Sequence, residues 1–313
     1  MPLSELFFDP GPIVWVQQTL GLGWPFPFRV ISLLGISWGV ILALGVSLWL
    51  WGRQAAYSLA GIIVLEALVS MAMNRAFAVE RPDAASIVKY EHVALGSFPS
   101  GHLFTATIVW GWLYASRRVP FAVPAAVVVG VATARLYLGV HFLGDVVGAA
   151  VFGAALVWVY ARLWPRVQRW LAARPPRFFA ALALGFAATG VLAALVLFPS
   201  NPYVANASGV LVAGPAALWA ERRWVGYRAP AETRARVGVA LLGLAGILPP
   251  LVVWWYAGED ARALSACATA AGTLWALLAT PVLARRLSSG GGSAPAPART
   301  ERMTGSGQAP CAR

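Results

Sequence analysis

The sequence predicts an all-α fold, a polytopic transmembrane bundle of about nine spans, and three observations predict it. Hydrophobic residues make up 59% of the 313 and charged residues only 12%, too few charges to cover a soluble domain of this size. Apolar stretches close to the roughly twenty residues that carry a helix across a bilayer recur along the chain. The charges fall mostly between these stretches. The formal charge of +12 does not argue for nucleic acid. Lys89 is the one lysine, and the arginines gather between apolar segments as topology signals do. Cys267, inside an apolar stretch, and Cys311, in the tail, offer neither a disulfide framework nor metal-ligand spacing.

In chain order, residues 1–27 carry no basic stretch ahead of an apolar core, so a cleavable signal peptide is not expected. Pro12 to Trp24 is apolar and aromatic but interrupted by Gln17 and Gln18, which suits an interfacial helix. Spans are expected at about 29–51, 55–77, 100–114, 120–138 and 141–161, with a long loop at 78–98. The run from Arg162 to Arg174 is basic and amphipathic and is expected to lie on the membrane surface. Four further spans follow at about 178–198, 205–220, 236–256 and 263–284. The chain thus divides into a membrane core with its N-terminal interfacial segment (1–164), a C-terminal transmembrane extension (165–286) and a Gly, Ser, Ala and Pro-rich disordered tail (287–313).

Charge orients the bundle. With alternating loops, one side receives Arg53, Arg117 and Arg118, Arg162 to Arg177, Arg222 to Arg236, and Arg285 and Arg286. The other receives Glu5, Asp9, the 78–98 loop, the neutral stretch from Pro199 to Asn206, and Glu259 and Asp260. By the positive-inside rule the first side is cytoplasmic. Arg81 follows the second span, Ser100 to His102 begin the third, Arg135 ends the fourth and His141 begins the fifth. Helix parity therefore brings these polar clusters to one face, the outer one.

The residue types at that face suit an anion. Ser100 is placed to N-cap a helix whose first turn offers unpaired N–H groups and a positive dipole end. Arg81 and Arg135 are forked donors for phosphate oxygens. His141 and Asp145 stand four apart and share a helix face, so the carboxylate can hold the Nδ1 proton and leave Nε2 as a nucleophile. His102 is the candidate to protonate a leaving oxygen and then activate water.

Pro99-Ser100-Gly101-His102, and Arg135 followed at the right intervals by His141 and Asp145, resemble the second and third signature motifs of the type 2 phosphatidic acid phosphatase superfamily. Arg81-Pro82 is similar to the end of its first motif. The resemblance implies a metal-independent membrane phosphatase with no cofactor, working through a phosphohistidine. It makes His141 the nucleophile, Asp145 its partner, His102 the acid and base, and Arg81, Ser100, Gly101 and Arg135 the phosphate binders. Two positions depart from the pattern. Asn74 stands where the first motif has lysine, with Arg75 beside it, and Ala134 stands where the third begins with serine. Asn74 is taken as a neutral phosphate donor in the lysine's place.

The expected substrate is a lipid phosphate or diphosphate, such as a polyprenyl diphosphate or a phosphatidate-like lipid, at the outer leaflet of the plasma membrane. A lipid phosphotransferase using the same residues, and a lipid carrier with a degenerate site, are the alternatives. Other polar residues read more plainly. Lys89 and Glu91 are loop charges, His92 is a solvated loop residue, and Glu66, inside the second span, is first a structural partner for an Arg or Trp.

Overall fold

The computed structural model describes residues 7–91, 96–192, 195–196, 202–257 and 261–289, and among these there is no strand. The N-terminal part runs α1 (Gly11–Leu20), α2 (Pro25–Ser32), α3 (Ser37–Trp51), α4 (Arg53–Phe77), α5 (Gly101–Ala115), α6 (Ala122–Tyr137) and α7 (Leu143–Ala172). The C-terminal part runs α8 (Pro176–Leu192), α9 (Pro202–Ala220), α10 (Thr233–Ala257) and α11 (Arg262–Leu274), which continues through a π-helical turn, Trp275–Ala279, into α12 (Thr280–Ser289). His92, Glu259, Asp260 and the tail from 290 onward lie outside the described residues. The all-α membrane bundle stands, and its helices are less regular than nine even spans. Among the described residues, four helices are long and apolar enough to cross a membrane, Arg53–Phe77, Leu143–Ala172, Thr233–Ala257 and Arg262–Leu287, and a bent pair makes a fifth if it is one span. Helices α5 and α6 have 15 and 16 residues, short of the usual span of about twenty.

Three departures from the sequence expectation have local causes. The first span is broken: Pro25–Gly35 and Ser37–Trp51 meet at 54°. The corner packs so tightly on the start of α5 that a Cβ at Gly35 would lie 2.1 Å from the His102 carbonyl oxygen. Helix α7 begins at Leu143, after a turn in which Gly139 takes φ 72° and leaves no room for a side chain beneath the Val88 carbonyl. The basic stretch after residue 162 is the last part of α7 itself, which crosses the expected boundary at 164 without a break. A helix of 30 residues is about 45 Å long, more than the hydrocarbon layer of about 30 Å. Its surplus carries Arg162 over the Trp158 ring at 3.8 Å and Arg174 over the Trp170 ring at 4.0 Å.

Helix α5 packs between α4, α6 and α7. The loop from residue 78 is pinned by α1, and Gln17, which looked like an interruption of an apolar helix, is the pin. Its buried side chain donates to Val88 O (2.7 Å) and Tyr137 O (2.8 Å) and accepts from Val88 N (3.1 Å). Three bonds to backbone satisfy every polar group a buried amide of that shape most needs to place. Glu66 faces α5, where its Oε1 accepts a hydrogen bond from Thr105 Oγ1 at 2.9 Å, so its partner is neither the Arg nor the Trp expected.

The C-terminal helices form their own group, with α9 packed on α8 and α11, and dock on α3 through α10 and α11. Small residues make the docking close. The fully buried ring of Trp49 fills the space over Gly243, and its Nε1 donates to Ala276 O at 2.7 Å. Tyr227 OH donates to Trp49 O at 3.0 Å from the same side.

Candidate active site

Arg81, Ser100, Gly101, His102, Arg135, His141 and Asp145 meet at one end of the bundle, as helix parity requires. Arg81 emerges just after α4, where Nη1 donates to Val140 O (2.7 Å) and Nη2 to Gly96 O (3.2 Å). The same Nη1 lies 3.2 Å from His141 Nε2. A guanidinium has hydrogens to give and no lone pair to accept with, so Nε2 is the acceptor and the ring proton sits on Nδ1. That proton points to Asp145 Oδ2, 3.4 Å away.

Asp145 sits in the first turn of α7, where its Oδ2 caps the helix by accepting from Phe142 N at 2.8 Å. Its Oδ1 faces Ser97 Oγ at 3.2 Å, and that hydroxyl also lies 2.9 Å from Glu80 O. Ser97 escaped the sequence reading, and its place just ahead of the Pro99–His102 motif was the available signal. The two motifs are also tied through backbone, Ser100 N donating to Asp145 O at 3.2 Å. His141 lies outside the helical spans, and burial holds it well below the ordinary histidine value. The positive charges of Arg81 and Arg135, then His102, push the same way.

Two buried donors are left over. Ser100 is the N-cap of α5 by position, but its hydroxyl makes no capping bond, which corrects the expectation that it would. Its Oγ and Arg135 Nε are both buried without a partner. Arg135 is only 1% exposed, so an unpaired N–H there costs free energy unless an anion takes it. A cradle of Arg81, Arg135 Nε and Ser100 Oγ beside a neutral imidazole nitrogen is equipped to hold a tetrahedral oxyanion.

Asn74 faces elsewhere. Its Nδ2 donates to Gly96 O (3.0 Å) and, weakly, to Phe98 O (3.5 Å), so its two hydrogens serve the loop and not the cradle. This places the Asn74 amide on the stretch at residues 96–98. Neither neighbouring cation fills the lysine's place: Lys89 Nζ pairs with Asp83 Oδ1 at 2.5 Å, and Arg75 lies exposed in the last turn of α4. Glu91 is not a bare loop charge either. It pairs with Arg135, Nη1 to Oε2 at 3.0 Å.

Residues 54–169 match the model of the PAP2 superfamily. The provisionally named undecaprenyl-diphosphatase YbjG of Escherichia coli (strain K12) is 31% identical over 151 residues, which cover 42% of this chain and 74% of that protein. The chain belongs to the PAP2 superfamily. Phosphatidylglycerophosphatase B of Bacillus subtilis (strain 168) is 30% identical over 100 residues, covering 28% of this chain and 48% of that protein. No solved structure matches at a significant level. The PAP2 region spans α4 to α7 and holds every residue of the cradle, whereas α1 to α3 and the C-terminal group lie outside it.

Proposed function

We propose that the chain is a metal-independent lipid phosphate phosphatase of the plasma membrane, with its site at the outer face, acting through a phosphohistidine on His141. The observation that carries this is the Arg81–His141–Asp145 line, with Arg81 Nη1 3.2 Å from His141 Nε2 and Asp145 Oδ2 3.4 Å from His141 Nδ1, an arrangement that favours a proton on Nδ1 and a lone pair on Nε2. In the first step Nε2 attacks phosphorus, the bond to the lipid oxygen breaks, and His102 gives its proton to that oxygen. In the second, His102 takes a proton from water, the water oxygen attacks phosphorus, and the P–N bond breaks to release phosphate. Arg81, Arg135, Ser100 Oγ and the N-terminal turn of α5, which begins at Gly101, neutralise the equatorial oxygens in both. The names of the two relatives support a lipid diphosphate or phosphatidate-like substrate. The arginine distribution supports an outer site and a cytoplasmic C-terminus. Residues 1–164 act as the phosphatase core and 165–286 as a membrane-embedded extension of it.

The test uses purified protein with EDTA and a panel of undecaprenyl diphosphate, phosphatidate, phosphatidylglycerol phosphate and lipid A. Phosphorus-labelled substrate is expected to leave an acid-labile, base-stable label on the protein. His102→Ala prolongs that label, and His141→Ala abolishes label and turnover together. Substantial turnover by His141→Ala, or an absolute need for a divalent metal, overturns the assignment.

A further inference from the structure

Arg135 donates through one arm of its fork and leaves another group idle. Nη1 gives a hydrogen bond to Glu91 Oε2 at 3.0 Å, while Nε, buried in the cradle, has no partner. The other carboxylate oxygen of Glu91 lies 3.9 Å from Arg29 Nε, and Arg29 Nη2 donates to Tyr90 O at 2.7 Å. Glu91 is therefore held from both sides, by a buried arginine of α6 and by an arginine of α2. A guanidinium is planar, so fixing Nη1 fixes the direction in which Nε points. An unrestrained Arg135 would be free to rotate its fork or to withdraw along its stem.

We propose that Glu91 is a positioning residue for the reaction: it locks the Arg135 fork so that Nε faces the transferred phosphoryl group, and Arg29 holds Glu91 in turn. The inference rests on the reading of Arg135 as a phosphate binder and extends it beyond the family's motifs. It also brings α2, which lies outside the matched region, into the catalytic assembly. The carboxylate has a second effect of predictable sign. It offsets one of the positive charges near the cradle, so its removal without loss of orientation strengthens retention of the dianionic product, inorganic phosphate.

The test is a variant series on the full chain, assayed for hydrolysis of long-chain phosphatidate and undecaprenyl diphosphate in detergent micelles, with inhibition by inorganic phosphate measured alongside. Glu91→Ala is expected to lower kcat/KM about tenfold or more. Glu91→Gln, whose Oε1 still accepts from Arg135 Nη1, stays within about threefold of wild type and binds inorganic phosphate more tightly. In the Arg135→Lys background, where no fork remains to be oriented, Glu91→Ala costs less than about twofold. Arg29→Ala gives a smaller loss than Glu91→Ala and adds nothing to it. Equal losses from Glu91→Ala in the wild-type and Arg135→Lys backgrounds overturn the proposal, as does Glu91→Ala within twofold of wild type. Thermal melting of each variant separates a misfolded protein from a misaligned one, and Glu91→Gln tests the point if Glu91→Ala does not fold. Wild-type turnover by Arg135→Ala is a different result, because it removes the phosphate-site reading itself.

Discussion

Arg81 and His141 are joined through a single nitrogen that serves two masters: Arg81 Nη1 gives one hydrogen to Val140 O at 2.7 Å and the other to His141 Nε2 at 3.2 Å. The arginine is thereby fixed by the backbone next to the very residue whose lone pair it marks. Its charge also acts on that residue, second only to burial in holding His141 below the ordinary histidine value.

A pH dependence follows with a definite sign. On the proposed mechanism the nucleophile, His141, must be neutral, and burial and the nearby arginines hold its protonation below the usual histidine range, so the acid limb of kcat/KM is expected below about 6.5. Arg81→Gln removes a repelling charge and moves that limb upward, although burial, the larger cause, remains. Arg81→Lys keeps the charge and leaves the limb in place. An acid limb that ignores Arg81→Gln while tracking other substitutions would assign the titration to a different group.

Asn74 gives a prediction that separates a loop anchor from a phosphate ligand. Losing its bond to Gly96 O costs about 0.5–1.5 kcal/mol of stability, and Gly96 O is also an acceptor for Arg81 Nη2. Asn74→Ala is therefore expected to lower the melting temperature and to weaken kcat/KM a few-fold through the loosened Arg81. Asn74→Asp, which has no hydrogens to give and sets a carboxylate against two carbonyls, does worse on both measures. A stable Asn74→Ala whose only defect is a raised KM would restore the asparagine to the cradle.

The all-α fold was legible in the sequence, and so was the clustering of the candidate site residues at one end of the bundle. The convergence of Arg81, Ser100, Arg135 and His141 follows from helix parity, which needs only the order of apolar segments, and the dyad follows from a four-residue interval. Ser97, Glu91 and Gln17 act on neighbours 48, 44 and 71 residues away, and no local periodicity encodes such pairs. The break at Gly35 was hidden for a related reason. An apolar run has the same hydropathy whether straight or bent, and the close approach to His102 that bends it lies in another helix. Helices α5 and α6 lie within a residue or two of the spans expected at 100–114 and 120–138, because an apolar run bounded by polar residues is a local signal.

The sidedness is tested by accessibility. In a chain with Cys267 and Cys311 replaced, Ala85→Cys lies in the exposed part of the 78–91 loop and Arg228→Cys on an exposed connection between α9 and α10. An impermeant thiol reagent added to intact cells is expected to label Ala85→Cys and to spare Arg228→Cys until the membrane is opened. Labelling of Arg228→Cys from outside reverses the topology and moves the site to the cytoplasmic face.

Gly35 offers a probe of how the frame aims the chemistry. The corner between α2 and α3 approaches the first turn of α5 so closely that a methyl group would meet His102 O at 2.1 Å and His102 Cα at 3.1 Å. Backbone cannot yield as a long side chain can, so Gly35→Ala must push the corner and α5 apart. Overpacking of this kind typically costs about 1–3 kcal/mol. The displaced backbone carries His102, the proposed acid–base group, together with Ser100 and the first turn of α5, so a shift of a fraction of an ångström is expected to lower kcat and to raise KM through the phosphate contacts of that turn. Gly101→Ala is the contrast, because a Cβ there meets nothing within 4 Å, so it is expected to fold as the wild type does and to report only on what its methyl does to an incoming phosphoryl group. If Gly35→Ala melts lower yet keeps kcat, the corner is a packing contact without a role in placing His102. If it lowers kcat, the broken first span acts as a rest that sets the depth of the first turn of α5, with Ser100 and His102 on it.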